Sequence, residues 1–232
     1  MYLRLLMTAV FPGIALALGA YLTDRYDREP VRLLVKIFLF GLLSVVPAGI
    51  FEQILTYINP FAGILGILFT AFIVAGLTEE FIKRSVVMRF AFKSSAFDEK
   101  LDGIIYAVFA SLGFATAENI LYVVFRFSSN PYVGISRGIL SVPAHMLFAI
   151  TMGYYLSMAK FCTDGRLCKF YYIKSLTVPL ILHGIFDFLL MVNQGIMLIL
   201  FIPFVIYLWV INLRKLNQYY RESKSNYQER EK

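Results

Sequence analysis

Residues 61–83, Phe-Ala-Gly-Ile-Leu-Gly-Ile-Leu-Phe-Thr-Ala-Phe-Ile-Val-Ala-Gly-Leu-Thr-Glu-Glu-Phe-Ile-Lys, carry two signals at once. Most of the stretch is an uninterrupted apolar run, and a helix of about 20 such residues crosses the hydrocarbon core of a bilayer. Its end carries Glu79, Glu80 and Lys83. An ionisable side chain at membrane depth costs at least ~2.5–3.5 kcal/mol, so each one requires a reason to be there.

Working outward, six further apolar stretches lie at roughly 2–22, 33–52, 104–125, 139–159, 175–192 and 195–213, each near the length of a bilayer span. Apolar residues make up 59% of the 232 and charged residues only 16%, against roughly 25% in soluble domains. Mean hydropathy is +0.70. These features exclude a water-soluble fold and imply an all-α polytopic bundle of seven spans over residues 1–213. The basic tail 214–232, rich in Ser, Asn, Gln and Glu, has the composition of a solvated or disordered segment and is assigned no chemistry. The first stretch is too long, and too poor in preceding charge, for a signal peptide.

A net charge of +7 would suit a nucleic-acid ligand in a soluble protein, but in a membrane protein the position of each base matters more. Segments 23–36, 83–100 and 160–174 hold Arg25, Arg28, Arg32, Lys36, Lys83, Arg84, Arg89, Lys93, Lys100, Lys160, Arg166, Lys169 and Lys174, and the tail holds six more, Lys232 included. Only Arg4, Arg126 and Arg137 fall on the other side. The positive-inside rule then gives an outside N-terminus and a cytoplasmic C-terminus. Cys162 and Cys168 lie in a loop so assigned to the cytosol, where thiols stay reduced, and no disulfide is expected. No repeat, phosphate-binding glycine loop or nucleotide fingerprint is present, and no nucleic-acid partner is expected.

The intramembrane ionisable residues form a short set: Glu79, Glu80, Lys83, Glu118, His145, His183 and Asp187. Glu79 and Lys83 share a helix face at i,i+4, while Glu80 points about 100° away. Adjacent carboxylates in a poorly hydrated site do not titrate alike. One can act as general base on water while its neighbour is held by Lys83. His183 and Asp187 repeat the spacing, so Asp187 can fix the tautomer and leave the other ring nitrogen for a reacting carbonyl or its oxyanion. Glu118 and Asn119 are flanked by small residues that allow close helix contact. His145, after Pro143, reads as a supporting or helix-tying hydrogen bond. Arg137 frames the start of that helix. Glu52, at the end of its span, reads as a boundary residue reaching the headgroups.

Together these pieces resemble the PrsW family of bacterial membrane proteases, itself similar to the CAAX prenyl proteases and bacteriocin-processing proteases. The matching stretches are Pro-Gly-Ile-Ala-Leu (12–16), Asp-Arg-Glu-Pro (27–30), Glu-Glu-Phe-Ile-Lys (79–83), Phe-Asp-Glu-Lys-Leu-Asp-Gly-Ile-Ile-Tyr (97–106), Ser-Leu-Gly-Phe-Ala-Thr-Ala-Glu-Asn-Ile-Leu-Tyr (111–122), Pro-Ala-His (143–145) and Leu-His-Gly-Ile-Phe-Asp-Phe (182–188). The resemblance implies an endopeptidase of the bacterial plasma membrane that hydrolyses peptide bonds in or beside the bilayer. Glu79 and Glu80 would activate water, and His183 would stabilise the oxyanion, with Lys83, Glu118 and Asp187 around them and His145 and Asn119 supporting. Its implied substrate is a single-pass anti-sigma factor, cut on the extracytoplasmic side to activate a sigma factor. The prenyl proteases usually carry His at the position of Glu118, so a scheme with two motif histidines does not transfer whole. No cofactor is expected on this reading.

Three alternatives stand beside it. Glu, His and Asp also ligate zinc, so a divalent-metal protease is open, although no His-Glu-x-x-His occurs. Buried carboxylates also serve proton-coupled transporters and channels. A scaffold with purely structural charges is the third. The charge count also sets a conflict. It puts Glu79 and Glu80 in the cytosolic half of their span, whereas the resemblance implies an outside cut, unless the span is displaced, the topology inverted, or the substrate drawn into a water-filled cavity.

Overall fold

The computed structural model describes residues 2–192 and 195–231. Among these residues, seven helices are long and apolar enough to span a membrane: α1 (Tyr2–Thr23), α2 (Val31–Tyr57), α3 (Gly63–Phe90), α4 (Lys100–Arg126), α5 (Tyr132–Phe161), α6 (Gly165–Val192) and α7 (Ile199–Arg230). The described residues contain no strand. The protein is an all-α polytopic membrane bundle.

Proline interrupts two of these helices, and each break has the same cause. Pro47 cannot bond to the carbonyl of Leu43, and its ring crowds that carbonyl. Accordingly α2 breaks at Ser44 into Val31–Leu43 and Val45–Tyr57. Pro143 acts likewise on Ile139, and α5 breaks at Leu140. Two other segments widen to i→i+5 hydrogen bonding, Thr70–Leu77 in α3 and Leu121–Arg126 in α4. Such wide turns concentrate at functional sites. Here the first runs directly into Glu79 and Glu80, and the second follows Glu118.

The bundle is organised around α4, which is buried over most of its length and packs against α1, α2 and α5. Lipid offers helices no hydrophobic drive to associate, so close contact between small residues does that work. The Gly41 Cα faces the Ala110 carbonyl so tightly that a Cβ there would come within 2.1 Å of it, and Gly113 meets the Phe38 carbonyl at the same distance. On the other side of α4, Gly103 and Gly153 form a backbone crossing with α5. These contacts fix the heights at which the polar residues of α4 and α5 meet.

One end of the bundle gathers the two acidic motifs. The Glu29 N–H donates to Asp24 Oδ2 at 3.0 Å, and the Asp98 and Glu99 N–H groups donate to Asp102 Oδ2 at 2.9 and 2.7 Å. The Tyr106 hydroxyl donates to Glu29. Burial, opposed by the Glu29 N–H, pushes the Asp24 carboxyl up to about 6. Burial also pushes Glu29 and Glu99 up to about 7.

Two expectations are corrected. The segment from Arg214, read as solvated or disordered, continues α7 as helix to Arg230. Its Tyr219 and Ser223, one turn apart, are buried, with Tyr219 stacked on Tyr154 at 4.7 Å. Lys100 pairs with Glu222 at 2.5 Å and Arg230 with Asp27 at 2.6 Å. This partly buried face, carried by a strongly polar composition, covers the acidic end. Lys232 lies outside the described residues. Cys162 and Cys168, expected as free thiols, are joined as a disulfide, because the short turn into α6 brings their Cα atoms to 5.6 Å.

Candidate active site

Toward the opposite end, α2, α3, α4, α5 and α6 enclose a cavity of about 1100 Å³. It runs from Thr56, Tyr57, Arg126 and Met191 at the mouth down to Glu79, Glu118, His145, His183 and Asp187. Every ionisable residue singled out in the sequence lines this cavity or touches a residue that does.

Lys83 is the hub. Its side chain is fully buried, and Nζ donates to Glu79 Oε2 at 2.9 Å, to Glu80 Oε1 at 2.8 Å and to His145 Nδ1 at 2.9 Å. The i,i+4 pairing of Glu79 with Lys83 is therefore present. Glu80 does not point away from it: at i,i+3 it reaches the same ammonium. An ammonium offers only donors, so His145 Nδ1 must accept, and the ring proton sits on Nε2. That N–H faces Glu118 Oε2 at 3.0 Å. His145, read from sequence as a supporting residue, thus links Lys83 to Glu118 at the centre of the site.

His183 pairs with Asp187 through Nε2 at 3.4 Å. Its other nitrogen is not left open, as the sequence reading had it. Nδ1 lies 3.0 Å from Glu80 Oε1. Glu80 is 0% exposed and its second oxygen has no hydrogen-bond partner. Glu79, by contrast, lines the cavity. The two adjacent glutamates therefore differ in environment, one facing space for water and peptide, the other sealed between Lys83 and His183.

Two residues given marginal parts take larger ones. Glu52 lines the cavity instead of reaching the headgroups. The signal for this was a stripe of Gly49, Glu52, Gln53 and Thr56 on one face of an otherwise apolar span. Arg137 sits 2.9 Å from Glu118 Oε2, a charge contact more than an aligned hydrogen bond, donates through Nε to Asn119 Oδ1 at 3.1 Å and covers the Tyr122 ring at 4.0 Å. Asn119 in turn donates to the Ala9 carbonyl at 2.9 Å, tying the group to α1. It stands behind the site and supports it.

Glu79, Glu80, His145 and His183 offer ligand atoms that all lie within 4.8 Å of one another. Two carboxylate oxygens and two imidazole nitrogens are the right donors in kind for zinc. The space among them is taken, however. Three of the four groups direct their lone pairs at Lys83 Nζ, and His183 Nδ1 is engaged by Glu80. With Lys83 in place, the arrangement does not fit a resident metal ion.

Fold and site together define a class: a polytopic membrane protein with a large cavity inside the bundle, walled by carboxylates and histidines, which is the apparatus of an intramembrane hydrolase. A family model for PrsW family intramembrane metalloproteases matches residues 29–211. The chain is 43% identical to the protease PrsW of Clostridioides difficile (strain 630) over 97% of its own length and 94% of that protein. It is 38% identical to the protease PrsW of Geobacillus kaustophilus (strain HTA426), over 92% and 91%. For the protease PrsW of Bacillus subtilis (strain 168) the identity is 36%, over 91% and 93%. No solved structure matches. The chain belongs to the PrsW family and is a multi-pass, membrane-embedded protease.

Proposed function

We propose that the protein is an endopeptidase that cuts a single-pass membrane anti-sigma factor within the cavity, with Glu79 as the base that activates water. The observation that carries this is the asymmetry of the glutamate pair. Glu79 borders the cavity, whereas Glu80 is sealed behind it. A water between the Glu79 carboxylate and a scissile carbonyl loses its proton to Glu79 as its oxygen attacks, and the same proton later passes to the leaving amine. The Lys83 ammonium, beside both carboxylates, stabilises Glu79 in position. Glu80 and Asp187 hold His183 from its two nitrogens. The Nε2 contact with Asp187 is the longer of the two, at 3.4 Å, and lies on the cavity side. The Nε2–H is therefore the donor that turns from Asp187 to the developing oxyanion when substrate enters, where such a donor contributes about 2.7–4 kcal/mol.

The cavity mouth lies at the helix ends joined by connectors 58–62 and 127–131. In the positive-inside frame these connectors are extracytoplasmic. A cut reached from outside is then compatible with glutamates deep in their span, because the substrate enters from the mouth. Cysteines at Thr56 and Ser94 test the orientation: an impermeant thiol reagent on intact cells is expected to label the first and spare the second, and the reverse pattern inverts the topology. Proteolysis itself is tested by co-expression with a single-pass anti-sigma factor. Glu79→Gln is expected to abolish the cleaved fragment. Normal processing by Glu79→Gln, with the protein present in the membrane, removes the base assigned here.

A further inference from the structure

A divalent ion bound by the four convergent donors would have to stand where Lys83 stands. The Lys83 nitrogen lies 2.8–2.9 Å from Glu79, Glu80 and His145, and 4.5 Å over the face of the Phe114 ring. Its three N–H donors are therefore all engaged, with aromatic density closing the fourth side. Zinc draws its ligands to about 2.0–2.2 Å, and it uses the same lone pairs that now accept from the ammonium. Lysine and metal cannot share the cluster.

We propose that Lys83 is a tethered cation that excludes a divalent metal from the Glu79–Glu80–His145–His183 cluster, and that removing its charge converts this cluster into a zinc site. Two carboxylates at the bottom of a lipid-embedded cavity need a nearby positive charge to remain together. A metal would supply it in many hydrolases. In this chain a side chain four residues along the same helix supplies it, at a distance set by covalent structure and independent of metal supply. The orphaned oxygen of Glu80 and the close approach of both histidines are what a zinc ion would use once the ammonium is gone.

The proposal shares its residues with the proteolytic reading, but its test counts metal and ignores cleavage, so either can fail alone. Wild type, Lys83→Met, Lys83→Met with His145→Ala, and His145→Ala alone are purified in detergent, equilibrated with excess zinc, desalted and analysed by mass spectrometry for metal per chain. Folding is checked by circular dichroism. Wild type is expected to retain well below one zinc, with no change on His145→Ala. Lys83→Met is expected to retain about one, as a site of three or four protein ligands does, and to lose it when His145 is also replaced. A wild-type protein that holds one zinc, released by His145→Ala, overturns the proposal. A folded Lys83→Met that gains none overturns it as well. If Lys83→Met does not fold, the comparison of wild type with His145→Ala decides alone.

Discussion

Replacing Gly153 by alanine adds one methyl group at the α4–α5 crossing, and the consequence can be worked from the backbone. The new Cβ would lie 2.2 Å from the Gly103 carbonyl oxygen and 2.5 Å from the Ile104 Cα, where real Cβ atoms do not approach within 3.0 Å. Both obstacles are backbone atoms of α4 and cannot rotate away, so the two helices must separate by about 1 Å at this point. Overpacking of this kind costs about 1–3 kcal/mol. For a chain of this size, each kcal/mol lowers the melting temperature by roughly 2–4 °C. Thermal unfolding in detergent, followed by circular dichroism, is the assay. Gly19→Ala is the control, because nothing lies within 4 Å of its Cβ position; there alanine's higher helix propensity is expected to leave the melting temperature level or slightly raised. Gly153→Ala melting within about 1 °C of wild type would refute the claim that small-residue contact sets the height of α5 against α4. Because these helices carry Glu118 and His145, proteolytic activity is expected to fall with the melting temperature.

Arg137→Ala removes the charge facing Glu118, the bond to Asn119 and the cover over Tyr122. Loss of orientation behind His145 is expected to slow cleavage of a reporter substrate by about 10- to 100-fold. Arg137→Lys should restore only part, because an ammonium cannot reproduce the guanidinium fork; a wild-type rate for Arg137→Ala would remove its positioning role. At the far end of the bundle, Asp24 is raised to about 6 and Glu29 and Glu99 to about 7, chiefly by burial. The folded state therefore holds protons that the unfolded chain releases near pH 4. Their contribution to stability is full below that pH and is lost as the pH rises through 6–7. The melting temperature is expected to fall between pH 5 and pH 8, by an amount reflecting roughly 1–3 kcal/mol once solvent screening reduces the full sum of about 6 kcal/mol for the three groups, and Glu29→Gln is expected to flatten the profile. A profile that rises with pH in wild type contradicts the assignment.

Much of this protein is legible in one dimension. Span number follows from apolar run length, because a bilayer of fixed thickness demands a fixed number of helical residues. The short set of ionisable residues at membrane depth follows from their cost in lipid, and that set is the one the cavity collects. Contacts within one helix were equally accessible: the i,i+4 spacings of Glu79 with Lys83 and His183 with Asp187 both appear as pairs. What ran between helices was not. Nothing along the chain states that Lys83 meets His145 sixty-two residues later, or that His183 Nδ1 is engaged by Glu80 and not left for substrate. Glu80's reach to Lys83 was within the local range too: both lie in the regular helix Thr78–Phe90, where i,i+3 residues are neighbours, and measuring Glu80 only against Glu79 overlooked it.

The chain by itself determined that there would be a membrane bundle and which side chains could do chemistry in it, because both are decided by the free energy of placing single residues in lipid. Only the tertiary structure decided which of those side chains face the cavity, which are sealed behind it, and that a lysine fills the space a metal would take. Those outcomes depend on the rotation and height of one helix against another. Backbone contacts such as Gly41 with Ala110 and Gly103 with Gly153 set them, and no local pattern encodes contacts between residues so far apart in sequence.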